Sequence, residues 1–279
     1  MPNRSLIATS TALLMAAAVS MAQAPQTPAP ARPAAAPAYR APRTADGKPN
    51  LNGIWQAMNT ANWDLEAHSA AASVAKELGA TGASPGGIGV VEGGAIPYLP
   101  EALKKKKENQ ANRLKLDPEV KCYLPGVPRA VYMPYPFQII QSTKHIMMLH
   151  EYAGAVRTVY MADQTEAPAD SWMGWSNGKW EGETLVVDTK GFNDLSWFDR
   201  AGNFHSDALH VVERFTPRSA DTLNYEATIE DSKTFSRPWK ISMPLYRHVE
   251  PNAQIMEFRC VEFVEDLLYG HLRKQPASK

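Results

Sequence analysis

The sequence has 279 residues, 44% of them hydrophobic and 21% charged, and its 29 basic residues balance its 29 acidic residues. This ordinary globular composition excludes a disordered chain, a collagen-like repeat and a strongly basic nucleic-acid-binding protein. Residues 1–43 carry four arginines and no acidic residue, so the rest of the chain is mildly acidic. Because a phosphate backbone is held by clustered Lys and Arg, we expect no nucleic-acid partner.

A signal peptide is predicted at residues 1–22. An apolar run over residues 6–19 follows Arg4 and is shorter than a membrane-spanning helix. Cleavage after Ala22 is favoured because small residues flank Met21. No later segment is long and apolar enough for a membrane helix, so we expect no membrane span and a periplasmic or secreted protein.

The chain after the signal peptide divides into a linker and one domain. Residues 23–43 are rich in Pro and Ala and have almost nothing to bury, so they are predicted to form an extended linker. Residues 44–279 are predicted to form a single β-barrel domain. Within it, residues 57–136 are predicted to be an insert of helices and loops.

Two helices are predicted in this insert. The first covers residues 63–78 with Asn62 as its N-cap, and the second covers residues 100–115, where Pro100 takes a permitted first position. The glycine-rich segment 79–94 between them is predicted to be a flexible connection.

Cys122 and Cys260 are predicted to form a disulfide bond. They are the only cysteines of the chain, and export places them in an oxidising compartment. The alternative is two separate buried thiols. Neither cysteine has a CxxC partner or a nearby histidine, so we expect no zinc or redox role.

From residue 137 onward, short β-rich segments alternate with turn chemistry. Strands are predicted at residues 137–142, 145–152, 156–161, 178–181, 184–189, 209–216, 222–230, 239–246 and 254–262. Tight connections are predicted at residues 153–155, 177–178, 181–182 and 219–221, and such short loops make neighbouring strands antiparallel. Closure of the sheet removes its exposed edges. The predicted fold is therefore mainly β, an antiparallel meander closed into a barrel, with a C-terminal helix over residues 261–272 packed outside it.

Two of these strands carry ionisable residues on both faces. In segment 209–215, His210 and Glu213 point to opposite sides, and segment 145–152 shows the same pattern with His150. A buried ionisable group is costly unless it is paired or reached by ligand or water. The two strands therefore predict a cavity lined partly by polar groups.

Segment 197–210 combines acid–base groups with aromatic residues. His210 is a candidate general acid or base, because imidazole titrates near neutrality. Asp207 or Glu213 would orient it, and Arg214 would stabilise developing negative charge. The alternative is a polar turn in which His210 is only structural. The full set of catalytic candidates is His210, Asp207, Glu213, Arg214, His205 and Asp199.

A metal site would draw on four histidines, His145, His150, His205 and His210. His145 and His150 are five residues apart, as are His205 and His210, and on a strand this spacing places the two rings of a pair on opposite faces. A site would require different strands to bring the rings together. We therefore expect no metal and no cofactor.

Aromatic residues are concentrated between residues 172 and 197. Tryptophans at β-turns often fill the ends of a barrel, and that is one interpretation. Alternatively, they stack against a sugar or an aromatic ring at the barrel mouth. The predicted ligand-binding residues are Trp175, Trp180, Trp197, Tyr152 and His150.

Four segments resemble a family of exported bacterial proteins of largely unknown function. They read TADGKPNLNGIW, CYLPGVPR, GKWEGETLVVDTKGFND and HSDALHVVERF, and the resemblance covers most of residues 44–262. Gly53-x-Trp55 also resembles the GxW of lipocalin-like barrels, in which the tryptophan closes the barrel base and the cavity takes small hydrophobic molecules. The insert 57–136 departs from a compact lipocalin. The resemblance implies a secreted ligand-binding barrel and supplies no reaction or catalytic residue.

The predicted function is cofactor-free acid–base chemistry, as a lyase, isomerase or hydrolase, on a small and partly apolar organic molecule. A non-catalytic carrier is the first alternative, and a cell-envelope or polysaccharide-binding protein with exposed tryptophans is the second. An enzyme would hold its ligand within hydrogen-bond reach of His210 and an acid. A carrier would have a cavity lined mainly by apolar and aromatic side chains.

Overall fold

The structure, a computed structural model, describes residues 39–72, 83–162, 164–269 and 271. The predicted signal peptide and most of the predicted linker lie outside these residues. The strands are β1 Gly53–Ala57, β2 Phe137–Gln141, β3 His145–His150, β4 Val156–Tyr160, β5 Trp175–Glu181, β6 Thr184–Lys190, β7 His210–Ser219, β8 Thr222–Glu230 and β9 Trp239–Arg247. The helices are α1 Pro100–Ala111, α2 Arg113–Leu116, α3 Arg129–Tyr132 and α4 Val264–Tyr269. None of the helices in the described residues is long and apolar enough to cross a bilayer.

The strands form one closed barrel in the order β1 to β9. Antiparallel pairing of β1 with β9, which sets Trp55 opposite Arg247, closes it. This confirms the predicted mainly β, closed and largely antiparallel barrel. The predicted unbroken meander is wrong at one place, since β4 and β5 pair in parallel. The chain between these two strands has to cross back before β5 begins, as parallel neighbours require.

Closure also explains why the last predicted strand does not form. Residues 254–262 contain no strand, because β9 already pairs with β1 and its edge is not free for the chain that follows it. The predicted tight connection at residues 177–178 is also wrong, since these residues lie inside β5. The helix α4 falls within the predicted C-terminal helix.

The first predicted helix is wrong over its described part. Residues 63–72 are not helical, because His68 and Ala71 form β-bridges with Gly87 and Ser84. Asn62, the predicted N-cap, instead accepts a hydrogen bond from Arg129 Nε at 2.8 Å. Residues 73–78 lie outside the described residues.

The second predicted helix is confirmed, with a break between α1 and α2 at Asn112. The glycine-rich segment that was predicted to be flexible is hydrogen-bonded into the fold in its described part. Gly87 N donates to His68 O at 2.9 Å, and Val91 bridges to Ile241 of β9.

The packed chain begins before the predicted domain boundary at residue 44. Ala41 is buried, and the Arg43 guanidinium forms an ion pair with Glu183. Residues 41–43, which were predicted to belong to the linker, therefore contact the barrel.

Gly53 and Trp55 pack against Arg247 where the barrel closes. The Arg247 guanidinium lies 4.2 Å from the centroid of the Trp55 ring and donates to Asn52 O at 2.6 Å. Gly53 has a φ of 141°, and a Cβ there would lie 2.1 Å from Arg247 Nη1. Only glycine fits this position, because a side chain would displace the arginine.

Inward-facing residues of alternate strand positions fill the barrel, as the period of two predicts. In β8 the buried side chains are Leu223, Tyr225, Ala227 and Ile229. The prediction that an ionisable group would point inward on β3 and β7 is confirmed, since His150 and Glu213 are both buried.

Glu213 has a cationic partner that the sequence did not reveal. Arg157 of β4 forms a buried ion pair with it, and Arg157 Nη1 donates to Glu213 Oε1 at 3.1 Å. Arg157 also donates to Ser176 Oγ at 2.9 Å and to Thr189 Oγ1 at 2.8 Å. Tyr225 Oη donates to Glu213 Oε1 at 2.9 Å. The pair is therefore well hydrogen-bonded, as a buried charge requires.

Candidate functional site

A cavity of about 220 Å³ lies between the turn Pro118–Lys121 and the C-terminal segment, residues 256–264. We call it the C-terminal pocket. Apolar side chains of both stretches line it, including Val120, Phe263 and Val264. Its charged lining side chains are Glu119, Arg200 and Arg259, and the Arg259 side chain is exposed and paired with Glu257. Apolar walls with a few convergent polar groups are typical of small-molecule sites.

The sequence around Glu119 builds a tight turn. Asp117 precedes it and accepts a hydrogen bond from Glu119 N at 2.9 Å, and Pro118 takes the first helical position. The turn ends at Cys122, which has a left-handed φ of 59°. This geometry presents Glu119 to arginines that come from two distant parts of the chain.

Two arginines hold the Glu119 carboxylate. Arg129 of α3 is buried and donates to Glu119 Oε2 at 2.6 Å. Arg200 donates through Nε to Oε2 at 2.8 Å and through Nη2 to Oε1 at 2.5 Å. The Arg200 guanidinium also lies 4.3 Å from the centroid of the Trp63 ring. Such bidentate, charge-assisted contacts fix the carboxylate in one orientation.

The surroundings of Glu119 also keep its carboxylate ionised. Burial disfavours its carboxylate, but Arg129 and Arg200 outweigh burial and lower the pKa of Glu119 to about 2. Glu119 is therefore ionised at neutral pH and is a poor proton acceptor there.

Three aromatic rings form one wall of the C-terminal pocket. Phe258 packs edge-on against Tyr135, with ring centroids 5.1 Å apart, and against Tyr152 at 5.0 Å. Tyr152 Oη donates to Glu119 O at 3.2 Å. Burial, and next the Glu119 charge, raise the pKa of both tyrosines. Both hydroxyls are therefore protonated at neutral pH.

The two tyrosine hydroxyls of the aromatic wall differ, because only that of Tyr152 is hydrogen-bonded in the described residues. Within the described part of the chain, Tyr135 Oη makes no hydrogen bond, and its side chain is only half-buried. A neutral hydroxyl both donates and accepts. Tyr135 can therefore hydrogen-bond a ligand without giving up an existing partner.

The C-terminal segment is attached to the rest of the protein at three points. Cys260 forms the predicted disulfide bond with Cys122, with a Cα–Cα distance of 5.8 Å. Phe263 N donates to Val120 O at 2.7 Å, and Met256 N donates to a Glu151 carboxylate oxygen at 3.0 Å. The segment, and Phe258 with it, is therefore held over the pocket.

His210, Asp207 and Arg214 all lie on the outside of the barrel. His210 Nε2 lies 3.0 Å from Asp188 Oδ2, and its Nδ1 lies 3.4 Å from a Glu230 carboxylate oxygen. Asp207 pairs with a lysine, and Arg214 pairs with a glutamate. Glu213 points to the opposite side of the same strand. The structure therefore does not bring these four candidates to one site.

Asp199 is buried in the loop between β6 and β7. Its carboxylate accepts hydrogen bonds from Leu65 N, Ala201 N and Asn203 Nδ2 at 2.6 to 2.9 Å. Burial and the nearby Asp64 charge nevertheless raise the pKa of Asp199 to about 7. A proton-transfer role would require access, and Asp199 is 0% exposed.

His205 forms a buried pair with Ser196. Its Nδ1 donates to Ser206 O at 2.8 Å, so Nε2 accepts from Ser196 Oγ at 2.7 Å. Burial lowers the pKa of His205. The distance suits a nucleophile and its base, but the two side chains are at most 2% exposed. The pair is closed to a substrate in this conformation.

The predicted ligand-binding residues are dispersed. Tyr152 lines the C-terminal pocket, and Trp175 lines a different cavity beside β4 and β5. Trp180 lines an open cavity of about 390 Å³ with polar neighbours. Trp197 is buried in a loop, and His150 is buried inside the barrel. Only Tyr152 of this set therefore lines the pocket with the aromatic wall.

The histidines do not converge on a metal in this structure. His150 Nδ1 donates to Ala130 O at 3.1 Å inside the barrel, whereas His145 is exposed and packs against Tyr160. In the described residues there is no group of three or more His, Cys, Asp or Glu side chains that could hold a metal ion.

Sequence reasoning missed most residues of the C-terminal pocket. Glu119, Arg200, Tyr135 and Phe258 were not candidates, because nothing in their local sequence distinguishes them from structural residues. The predicted disulfide bond was the one sequence feature that could have located this pocket, since a Cys122–Cys260 bond brings the residues flanking each cysteine together.

No protein-family profile matches the sequence, and no curated protein is recognisably similar to it. The resemblance to exported bacterial proteins and to the lipocalin GxW therefore stays a prediction from the quoted segments.

Proposed function

We propose that this protein is exported and binds a small, partly apolar organic molecule in the C-terminal pocket, without catalysing a reaction. The observation that carries this proposal is the aromatic wall of Tyr135, Tyr152 and Phe258 beside a fully paired carboxylate. In this picture the barrel is a lipocalin-like scaffold whose ligand lies beside the barrel. The disulfide bond, which oxidising compartments favour, supports export.

Binding fits the pocket better than acid–base chemistry. A general acid or base works best with a pKa near the operating pH. In this pocket the pKa of Glu119 is about 2, and those of both tyrosines lie above their ordinary value. None of these groups exchanges a proton readily near neutrality, so the pocket holds a ligand without transferring its protons.

The size and polarity of the pocket narrow the ligand. About 220 Å³ is smaller than the roughly 300–1,000 Å³ of typical drug-sized sites. The aromatic wall favours a flat apolar body, and the Tyr135 hydroxyl favours one polar substituent that hydrogen-bonds. A single ring with a short hydroxyl-bearing substituent meets these requirements.

Benzyl alcohol is a suitable probe, with binding followed by ligand-observed NMR. We expect binding to the oxidised protein and an affinity about tenfold lower for Phe258→Ala, since one aromatic contact contributes up to about 1.4 kcal/mol. Tyr135→Phe should also bind more weakly, because the hydroxyl is lost but the ring stays. Tyr246→Ala is the matched control, since this exposed ring lies on β9, away from the pocket. Undetectable binding, or equal binding by all four proteins, would refute the proposal.

A further inference from the structure

The parallel contact between β4 and β5 leaves a gap in the barrel wall. The two strands pair only at Val159–Ser176 and Tyr160–Asn177, whereas β3 pairs with β4 from residue 156 to residue 160. In the described residues, β4 therefore has no strand opposite residues 156–158 on its β5 side. We call this place the seam.

A cavity of about 410 Å³ lies at the seam. We call it the seam pocket. Residues 156–158 of β4 line one side, and residues 171–176 line the other. Its volume lies within the roughly 300–1,000 Å³ of small-molecule sites, and it shares no lining residue with the C-terminal pocket.

The lining of the seam pocket has no charge to offer a ligand. Arg157 is the ionised side chain among its lining residues. Its guanidinium is buried and is already bonded to Glu213, Ser176 and Thr189. The other polar side-chain groups of the lining are uncharged: hydroxyls, such as that of Thr158, and the indole N–H groups of Trp172 and Trp175. A charged ligand would lose its hydration with no opposite charge in return, so an uncharged ligand is favoured.

Flat aromatic faces shape this pocket. The Trp175 and Tyr160 rings are stacked, with centroids 4.5 Å apart and planes 17° apart. Trp172 packs against Tyr123 at 5.1 Å. Gly174 lies between the two tryptophans with a φ of 65°, and a Cβ there would come within 2.8 Å of neighbouring side chains. Glycine at this position therefore allows the backbone conformation that places the Trp172 and Trp175 side chains at the pocket.

We propose that the seam pocket is a second binding site, for an uncharged compound with two aromatic ring systems. The ring requirement follows from the tryptophan and tyrosine faces, because offset-stacked rings attract one another. The preference for an uncharged compound follows from the fully engaged Arg157. This site does not depend on the C-terminal pocket.

Two fluorescent probes with the same ring skeleton test the proposal. N-phenyl-1-naphthylamine is uncharged, and 8-anilinonaphthalene-1-sulfonate adds one negative charge. We expect the neutral probe to bind at least about tenfold more tightly than the sulfonate, and Trp175→Ala to weaken the neutral probe by about tenfold. Saturating benzyl alcohol should not displace it.

A second variant covers the case in which Trp175→Ala perturbs folding. Ser171 is exposed at the pocket rim, so Ser171→Trp should fill the pocket without removing a buried side chain. It should weaken the neutral probe, while Tyr246→Ala binds it normally. Equal affinity for the two probes, or unchanged binding by Ser171→Trp, would overturn the proposal. Loss of benzyl alcohol binding alone would overturn only the proposed function.

Discussion

Phe258 packs edge-on against Tyr135, with ring centroids 5.1 Å apart. The disulfide bond between Cys122 and Cys260, which closely follows Phe258 in the chain, anchors the C-terminal segment there. The C-terminal pocket thus combines residues near the end of the described chain with residues more than 50 positions before them in the sequence. Its aromatic wall depends on a covalent link that the strand pairing of the barrel does not supply.

The first prediction concerns this bond. Cys260→Ser should lower the free energy of unfolding by about 4 kcal/mol, since the bond closes a loop with a sequence separation of 138. It should also weaken benzyl alcohol binding by up to about tenfold, because Phe258 loses its covalent anchor while the Phe263–Val120 and Met256–Glu151 hydrogen bonds remain. Denaturant titration and ligand-observed NMR measure the two effects.

The neutral naphthylamine probe is the internal control for this variant. Its affinity should not change, because the seam pocket has no contact with the C-terminal segment. Two free thiols in the native protein isolated from the periplasm or the medium, measured by intact mass before and after reduction, would contradict the bond itself.

The second prediction concerns Glu119. Glu119→Gln should destabilise the protein by about 3 to 5 kcal/mol, because Arg129 stays buried with part of its counter-charge removed. Equilibrium denaturation at pH 7 measures this loss. Glu101→Gln on exposed α1 is the matched control and should change stability by less than about 1 kcal/mol.

The lowered pKa of Glu119 also predicts a loss of stability in strong acid. Its pKa is about 2 in the folded protein against an ordinary 4.5. The stabilising contribution is therefore present above about pH 4.5 and is lost as the pH falls towards 2. The Gln variant should lack this part of the acid sensitivity. Identical pH profiles for the two proteins below pH 4.5 would refute the assignment.

The third prediction concerns two buried groups with opposite pH effects. Burial, and next the Arg157 charge, lower the pKa of His150 to about 3, so acidification from pH 6.5 protonates only the unfolded form and costs stability. The pKa of Asp199 is raised to about 7. Acidification from pH 7 to about 4 therefore protonates the folded form first and adds stability.

Single variants should separate these effects. Between pH 7 and pH 4.5, the free energy of unfolding of His150→Gln should change in a more stabilising direction than that of the parent. Asp199→Asn should lose more stability than the parent over the same range. Denaturant titrations at intervals of about half a pH unit measure the slope of the free energy of unfolding against pH. If both variants differ from the parent slope in the same direction, the prediction is contradicted.

The fourth prediction tests the acid–base alternative at His210. His210→Ala should leave the melting temperature within a few degrees of the parent, because partly exposed ion pairs contribute about 0 to 1 kcal/mol. Benzyl alcohol affinity should also stay the same, since His210 does not line the C-terminal pocket. A folded His210→Ala protein that no longer binds benzyl alcohol would favour a ligand held at His210.

Local sequence pattern predicted the barrel strands β2 to β9, but not β1, and it predicted the contents of several faces. The period of two in β8 placed Leu223 and Tyr225 inside, and the same period on β7 required an inward ionisable group. The predicted signal peptide and the presence of only two cysteines predicted the disulfide bond. These inferences succeeded because strand periodicity and cysteine pairing need no knowledge of which strands are neighbours.

Tertiary structure decided which distant groups meet. Arg157 pairs with Glu213 across the barrel interior, and Glu119 lies between Arg129 and Arg200. The segment 254–262 has the composition of a strand but no edge to join, because β1 closes on β9. Which residues contact each other depends on strand register, on the closure of the barrel and on the parallel seam between β4 and β5. These are properties of the whole chain that a local pattern does not contain.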